Sequence, residues 1–319
     1  MGMTLELVAD RLGFPEGPVV MSDGTLLFVD IFKQQLCRLK PGAKTVEVVA
    51  CLPGGPNGLA IGPDGAAYVC NNGGVYGFAD IPAPGAKPGD PLIKVPVAKK
   101  IWPNSYAGGS IQRVDLATGA VTTLYNSFGG NLLIAPDDLV FDEPRGGFWF
   151  TDSGASDPDG MVRGAVYFAT IDGKTLIQAA RVSRPNGVGL SPDGATLYVS
   201  DTDFGRLWSF PITGPGQLHP GPLPVMPGNV VQTLPGFQYL DSLKVEQSGR
   251  ICVGTIFNPG ITVFSLDGTT EHVPVPDFFT TNMCFGGADM QDLWITASST
   301  GRIYKTHWPR PGLKLAYLA

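Results

Sequence analysis

The chain has 319 residues, 43% of them hydrophobic and 16% charged, which fits a globular protein and excludes a disordered one. Its formal net charge is -6 with no basic run, which argues against a nucleic-acid partner, since phosphate binding needs clustered Lys and Arg. Glycine (43 residues) and proline (29) are abundant and no long amphipathic helical pattern occurs, so many short strands joined by tight turns are predicted.

The N-terminal "MGMTLELVAD" lacks the basic start and apolar core of a secretory signal, and no stretch reads as a transmembrane span. A soluble, cytoplasmic protein without a membrane partner is expected. Within that stretch "TLELVAD" reads as a strand with no partner of its own.

From residue 14 onward one pattern recurs six times. "FPEGPVVMSDGTLLFVD" is echoed by "GPNGLAIGPDGAAYVCN", "APDDLVFDEPRGGFWFTD", "RPNGVGLSPDGATLYVSD", "YLDSLKVEQSGRICVGT" and "TTNMCFGGADMQDLWITA". Each copy holds an acidic or amide residue, a short apolar run, a turn and a second apolar run. The leading residues are Glu16, Asn57, Asp137, Asn186, Asp241 and Asn282, at spacings of 41, 80, 49, 55 and 41. The long spacing has a visible cause, a Pro- and Gly-rich insertion at 79–110.

Between copies lie further strand pairs such as "GSIQRVDLATGAVTTLY", "GAVYFATIDGKTLIQAA" and "GITVFSLDGTTEHVPV". Four antiparallel strands per unit is the period of a propeller blade. An all-β, six-bladed β-propeller is predicted, with residues 1–319 as one domain. The sixth unit is short, so "TLELVAD", the C-terminal "GLKLAYLA" or both are expected to close the ring and remove exposed edges.

In such a ring the six leading residues surround one mouth of the central channel. They comprise three carboxylates (Glu16, Asp137, Asp241) and three carboxamides (Asn57, Asn186, Asn282), none of them basic. Carboxylates crowded in a narrow channel raise one another's pKa unless a counter-charge is present. Oxygen ligands of this kind suit a hard divalent cation, Ca2+ first, with six to eight oxygens at roughly 2.3–2.6 Å. Mg2+, Mn2+, Fe2+ and Zn2+ are the alternatives. Taken singly, each leading residue also reads as a turn former. The hairpin turns, however, are already supplied by "SDG", "GPDG", "SPDG" and "QSG", and glutamate is a poor turn residue.

Five cysteines without CxxC spacing and three distant histidines offer little to a His/Cys zinc site. No G-x-S-x-G is present, and "TDSGAS" reads as a blade loop rather than a nucleophile.

"FPEGPV", "PDDLVFDEPRGGFWFTDSG", "RPNGVGLSPDGATLYVSDT" and "YLDSLKV" resemble the senescence-marker-protein/gluconolactonase (LRE-like) family of six-bladed propellers along essentially the whole chain. "PDDLVFD" and "LDSLKV" are more similar to its drug-responsive, metal-dependent lactonases. The resemblance implies a divalent cation held by Glu16, Asn186 and Asp241, with Asp137 added as in the drug-responsive members and Ser242 as a weaker candidate. It implies hydrolysis of a lactone, the small-molecule partner, by metal-assisted attack of water. The cation would be the Lewis acid and Asp241 the general base, or else only a ligand.

Asn57 and Asn282 would complete the ring and bind substrate. Asn71 and Asn72 in "CNNGG" are expected at the channel-distant end of their strand, but the corresponding segment borders substrate in related gluconolactonases, so Asn72 joins the substrate candidates. Asp201 and Asp203 read equally as turn residues. The 79–110 insertion, with Trp102, Asn104 and Tyr106, is a candidate lid, and Tyr106 a candidate substrate contact. Alternatives are other chemistry at the same site (organophosphate or ester hydrolysis, sugar isomerisation, hydration) or a non-catalytic propeller stabilised by its ion. Monomer and dimer stay equally open.

Overall fold

A computed structural model describes residues 3–99, 106–157 and 160–318. Among these residues the chain forms six small antiparallel sheets arranged as the blades of a β-propeller, with two single-turn 3-10 helices, Glu143–Arg145 and Ser298–Thr300, and no α-helix. The innermost strands of blades I to VI are Pro15–Val20, Pro56–Ile61, Pro136–Asp142, Pro185–Leu190, Tyr239–Val245 and Thr280–Gly286. Each packs beside the next, and the sixth returns to the first.

The ring is closed by the N-terminal segment. Glu6–Ala9 pairs antiparallel with Arg302–His307 as the outer strand of blade VI. The C-terminal segment has a different place. Gly312 donates its amide to the Met290 carbonyl (2.8 Å) and Leu313 to that of Val245 (2.9 Å). Leu313, Leu315, Tyr317 and Leu318 then pack in turn against the blade IV/V, III/IV, II/III and I/II interfaces. This segment thereby crosses the channel at the ends of the inner strands.

Stability comes from apolar side chains wedged between neighbouring blades, one cluster per interface. The alternation of each strand sends every second side chain to the neighbour. Trp149, Phe148 and Phe150 on the second strand of blade III are fully buried, each contributing about 1.5–3 kcal/mol.

A second repeated device ties the blade corners. Asp30 accepts the amides of Gly13 and Phe14, Asp152 those of Ile134, Ala135 and Gly154, and Asp277 those of Phe279, Ser299 and Thr300. Asp201 does the same for Arg184 and also accepts from Trp208, which gives it the turn role.

The insertion in blade II begins earlier than the composition indicated. Its described part is a hairpin of Tyr76–Pro82 and Leu92–Ala98, between the second strand of the blade and the third, Ser110–Val114. Trp102 and Asn104 lie outside the described residues. "TDSGAS" ends the second strand of blade III and leads into a small hairpin, Ala155–Asp157 with Gly160–Val162.

Candidate functional site

All six leading residues lie within their inner strands rather than in the preceding loops, at the second or third position. Each blade has a register irregularity there, from Glu16/Val19 in blade I to Thr280/Asn282 in blade VI. A bulge of this kind kinks the strand and re-aims a side chain, so a sixfold bulge turns six side chains toward one mouth. The glycines behind them let the blades approach. A Cβ on Gly17 would meet the Asn57 carbonyl at 2.4 Å, and one on Gly58 the Asp137 carbonyl at 2.5 Å.

Within the ring, carboxylates and carboxamides pair across blade boundaries. Asn282 of blade VI donates Nδ2 to Glu16 of blade I at 2.8 Å, although 266 positions separate them. Asn57 of blade II donates Nδ2 to Asp137 of blade III at 3.0 Å. A side-chain hydrogen bond from Asn186 of blade IV favours the charged form of Asp241 in blade V. The ring is thus three carboxamide–carboxylate couples. Asn57 and Asn282 each direct one Nδ2 hydrogen at a carboxylate and keep a second.

Glu16, Asp137 and Asp241 are 2%, 4% and 8% exposed. Burial raises the Asp137 carboxyl to about 8, with the Glu16 charge adding to the rise and a hydrogen bond from Ser153 opposing it. Burial also lifts Asp241 well above the usual carboxylate range, reinforced by Glu16 and Asp137, and raises Glu16 in the same direction. Ser242 donates its amide to Asp241 (3.0 Å), and its hydroxyl lies 3.5 Å from Asn186 Oδ1.

Asn72 is not at the far end of its strand. Asn71 pairs with Pro56 beside Asn57, because the second strand runs antiparallel to the first, so the segment ends at the mouth. Asn72 is 1% exposed, its Oδ1 accepts the Gly74 amide, and its Nδ2 has no hydrogen-bond partner among the described residues. Tyr106 directs its hydroxyl at the backbone carbonyls of Asn72 and Ile134, as a brace for the blade II/III rim.

Three charged side chains near the ring escaped the sequence reading. Asp138 and Lys244 follow Asp137 and Asp241 by one and three positions and form an ion pair at 3.4 Å. Arg184, two residues before Asn186, pairs with Asp203 at 3.2 Å, and its charge opposes the rise in the Asp137 pKa. The available signal was their position on or just before an inner strand. Two larger clefts, of about 740 and 550 Å3, flank the C-terminal segment and include no ring residue.

The family of the SMP-30/Gluconolactonase/LRE-like region matches residues 14–299, from just before the first leading residue to just after the last blade's second strand. The chain belongs to this family. A gluconolactonase of Zymomonas mobilis is 25% identical over 234 residues, covering 66% of this chain and 56% of its own length. The chain spans about half the length of the curated relatives it matches. Among solved structures, a Xanthomonas campestris gluconolactonase superposes with a TM-score of 0.72 at 24% identity, covering 96% of this chain and 89% of its own. A calcium-binding protein, regucalcin, from Agrobacterium tumefaciens gives 0.69 at 18% identity, with 99% of both chains covered. At these identities the superpositions establish the shared propeller.

Proposed function

We propose that this SMP-30/gluconolactonase family member hydrolyses a lactone at the six-residue ring, with one divalent cation held by Glu16, Asp137, Asn186 and Asp241. The observation that carries the reading is three buried carboxylates from blades I, III and V whose burial and mutual repulsion raise their pKa values. That arrangement is unfavourable by itself and becomes favourable around a positive ion. The donor set fits such a group, since oxygen is what these side chains present and a hard cation prefers it. Calcium is the first choice, in keeping with the calcium-binding regucalcin that shares the fold. The gluconolactonases among the relatives support a cyclic ester as substrate.

When bound, the cation supplies a Lewis acid that polarises the ester carbonyl and balances the charge developing on its oxygen. Asp241 is the catalytic residue. In this reading it accepts a proton from the attacking water, with the Asn186 hydrogen bond favouring its charged form. Water adds to the carbonyl carbon, the bond to the ring oxygen breaks, and that oxygen takes the proton, leaving an open-chain hydroxy acid. Asn282 and Asn57 hold Glu16 and Asp137 in place through their Nδ2 donors. Asn72, whose Nδ2 bonds to no described residue, joins Asn57 and Asn282 as a substrate contact at the rim.

The test is a pH-stat assay on aldonolactones, aliphatic γ-lactones and aromatic lactones, with and without chelator. Chelator-sensitive turnover that Asp241→Asn abolishes while the fold persists is expected. Cation-loaded protein that opens no lactone on that panel refutes the reading.

A further inference from the structure

The blade II hairpin lies over the mouth that carries the ring. Its second strand, Leu92–Ala98, packs against the Ala155–Asp157 strand of blade III and against the Ser298–Thr300 turn of blade VI, the opposite side of the propeller. Phe78 on the first strand holds it down, with ring centroids 5.2 Å from Phe14 and 5.5 Å from Phe32. Phe14 stands two residues before Glu16. Side chains two apart on a strand share a face, so Tyr76 points toward the propeller as Phe78 does, but nearer the hairpin base, where blades II and III meet.

The chain is steered there by Gly73 and Gly74 at φ 66° and 79°, and a Cβ on Gly73 would meet the Gly108 carbonyl at 2.4 Å. Tyr76 packs with Val75 and Ala135, just before the third leading residue. With Lys99, Ala155 and Arg184 it also lines a water-sized cavity of about 10 Å3. Asp137, Asp241 and Arg184 all act electrostatically on its phenol. No described residue shares a hydrogen bond with its hydroxyl, whereas that of Tyr106 is spent on backbone.

We propose that the Tyr76 hydroxyl orients the substrate, donating a hydrogen bond to an oxygen of the bound lactone above the carboxylate ring. The inference rests on the lactone-hydrolase reading and adds to it a group supplied by the inserted hairpin. Tyr76 keeps its proton throughout, since burial first, and then Asp137 and Asp241 against the opposing Arg184 charge, push its pKa to about 12. It is therefore a donor at every pH at which the carboxylates titrate.

Tyr76→Phe isolates the hydroxyl, because the ring that packs on Val75 and Ala135 is retained. Removing one neutral donor to the substrate is expected to lower kcat/KM about 10-fold to 100-fold. Calorimetric affinity for the ring-opened hydroxy acid should fall in step, while Tm and calcium affinity stay at wild-type values. A variant with wild-type kcat/KM and product affinity overturns the inference and leaves the lactonase reading standing, as does a variant that loses only Tm. A wild-type protein inactive on every lactone overturns both.

Discussion

Replacing Asp137 by Asn tests the electrostatics of the ring directly. In cation-free protein the Asp137 carboxyl is raised from an ordinary 3.8 to about 8. A carboxyl raised on folding costs nothing well below its ordinary pKa of 3.8, where folded and unfolded chains are both protonated. From about pH 4 to pH 8 the unfolded chain loses its proton first, so stability falls by about 1.4 kcal/mol per pH unit, to a ceiling of about 6 kcal/mol. Asn escapes that loss. It forfeits one of the two donors the carboxylate accepts, Ser153 Oγ and Asn57 Nδ2, at a cost of about 1–2 kcal/mol. In chelator, Asp137→Asn is therefore expected to be slightly less stable than wild type at pH 4 and about 4 kcal/mol more stable at pH 8. Urea unfolding of both proteins at pH 4, 6 and 8 reads the crossover, and saturating calcium should reverse the order at pH 8. Curves that stay parallel across pH would show that Asp137 is already neutralised by another group, and the case for a cation would lose its foundation.

Asn282→Ala removes the donor to Glu16 and strands the Met283 amide, so a loss of about 2 kcal/mol in urea unfolding and about 10-fold weaker calcium binding by calorimetry are expected. Asp152→Ala unties three backbone amides at a blade corner and should cost about 3 kcal/mol while leaving calcium affinity within twofold, which separates corner from ring. Arg310→Ala should cost about 2 kcal/mol at pH 7 by leaving Glu246 with fewer donors. Burial pushes the Glu246 carboxyl up, but Arg310 and Trp308 outweigh it and hold it below the usual range. That stability is present above the ordinary glutamate pKa and lost as pH falls through the lower folded value, so wild type and variant should converge in urea midpoint below about pH 4.

The repeat was legible because each blade writes the same short text: a polar leading residue, a period-2 strand, a turn and a second strand. Equal register in equal units predicts that Glu16, Asn57, Asp137, Asn186, Asp241 and Asn282 surround one mouth, and the bonds from Asn282 to Glu16 and from Asn57 to Asp137 join neighbours there. Their division into couples was not legible, because a partner such as Asn282 is chosen by the neighbouring blade and stands at the other end of the chain. Asn72 lies at the mouth rather than at the far end of its strand, because the second strand of the hairpin runs back along the first and sets Asn71 opposite Pro56. Which terminus closes the ring was left open because both segments read as short apolar strands. Only the N-terminal one pairs with blade VI, while the other finds carbonyls and apolar side chains beneath the channel. Tyr76 was invisible for a related reason, since nothing in the insertion says where its hairpin will lie.

The pairing of Glu6–Ala9 with Arg302–His307 also sets an order of events in biosynthesis. Blades I to V are contiguous in the chain and can each assemble as they leave the ribosome. This seam cannot form until Arg302–His307 has been synthesised, long after Glu6–Ala9, because loop-closure entropy must be met across the intervening blades before any contact there is gained. Until then Glu16 lacks the Asn282 partner and the carboxylate ring is an open arc. On the proposed reading, cation capture would follow the closing of this seam.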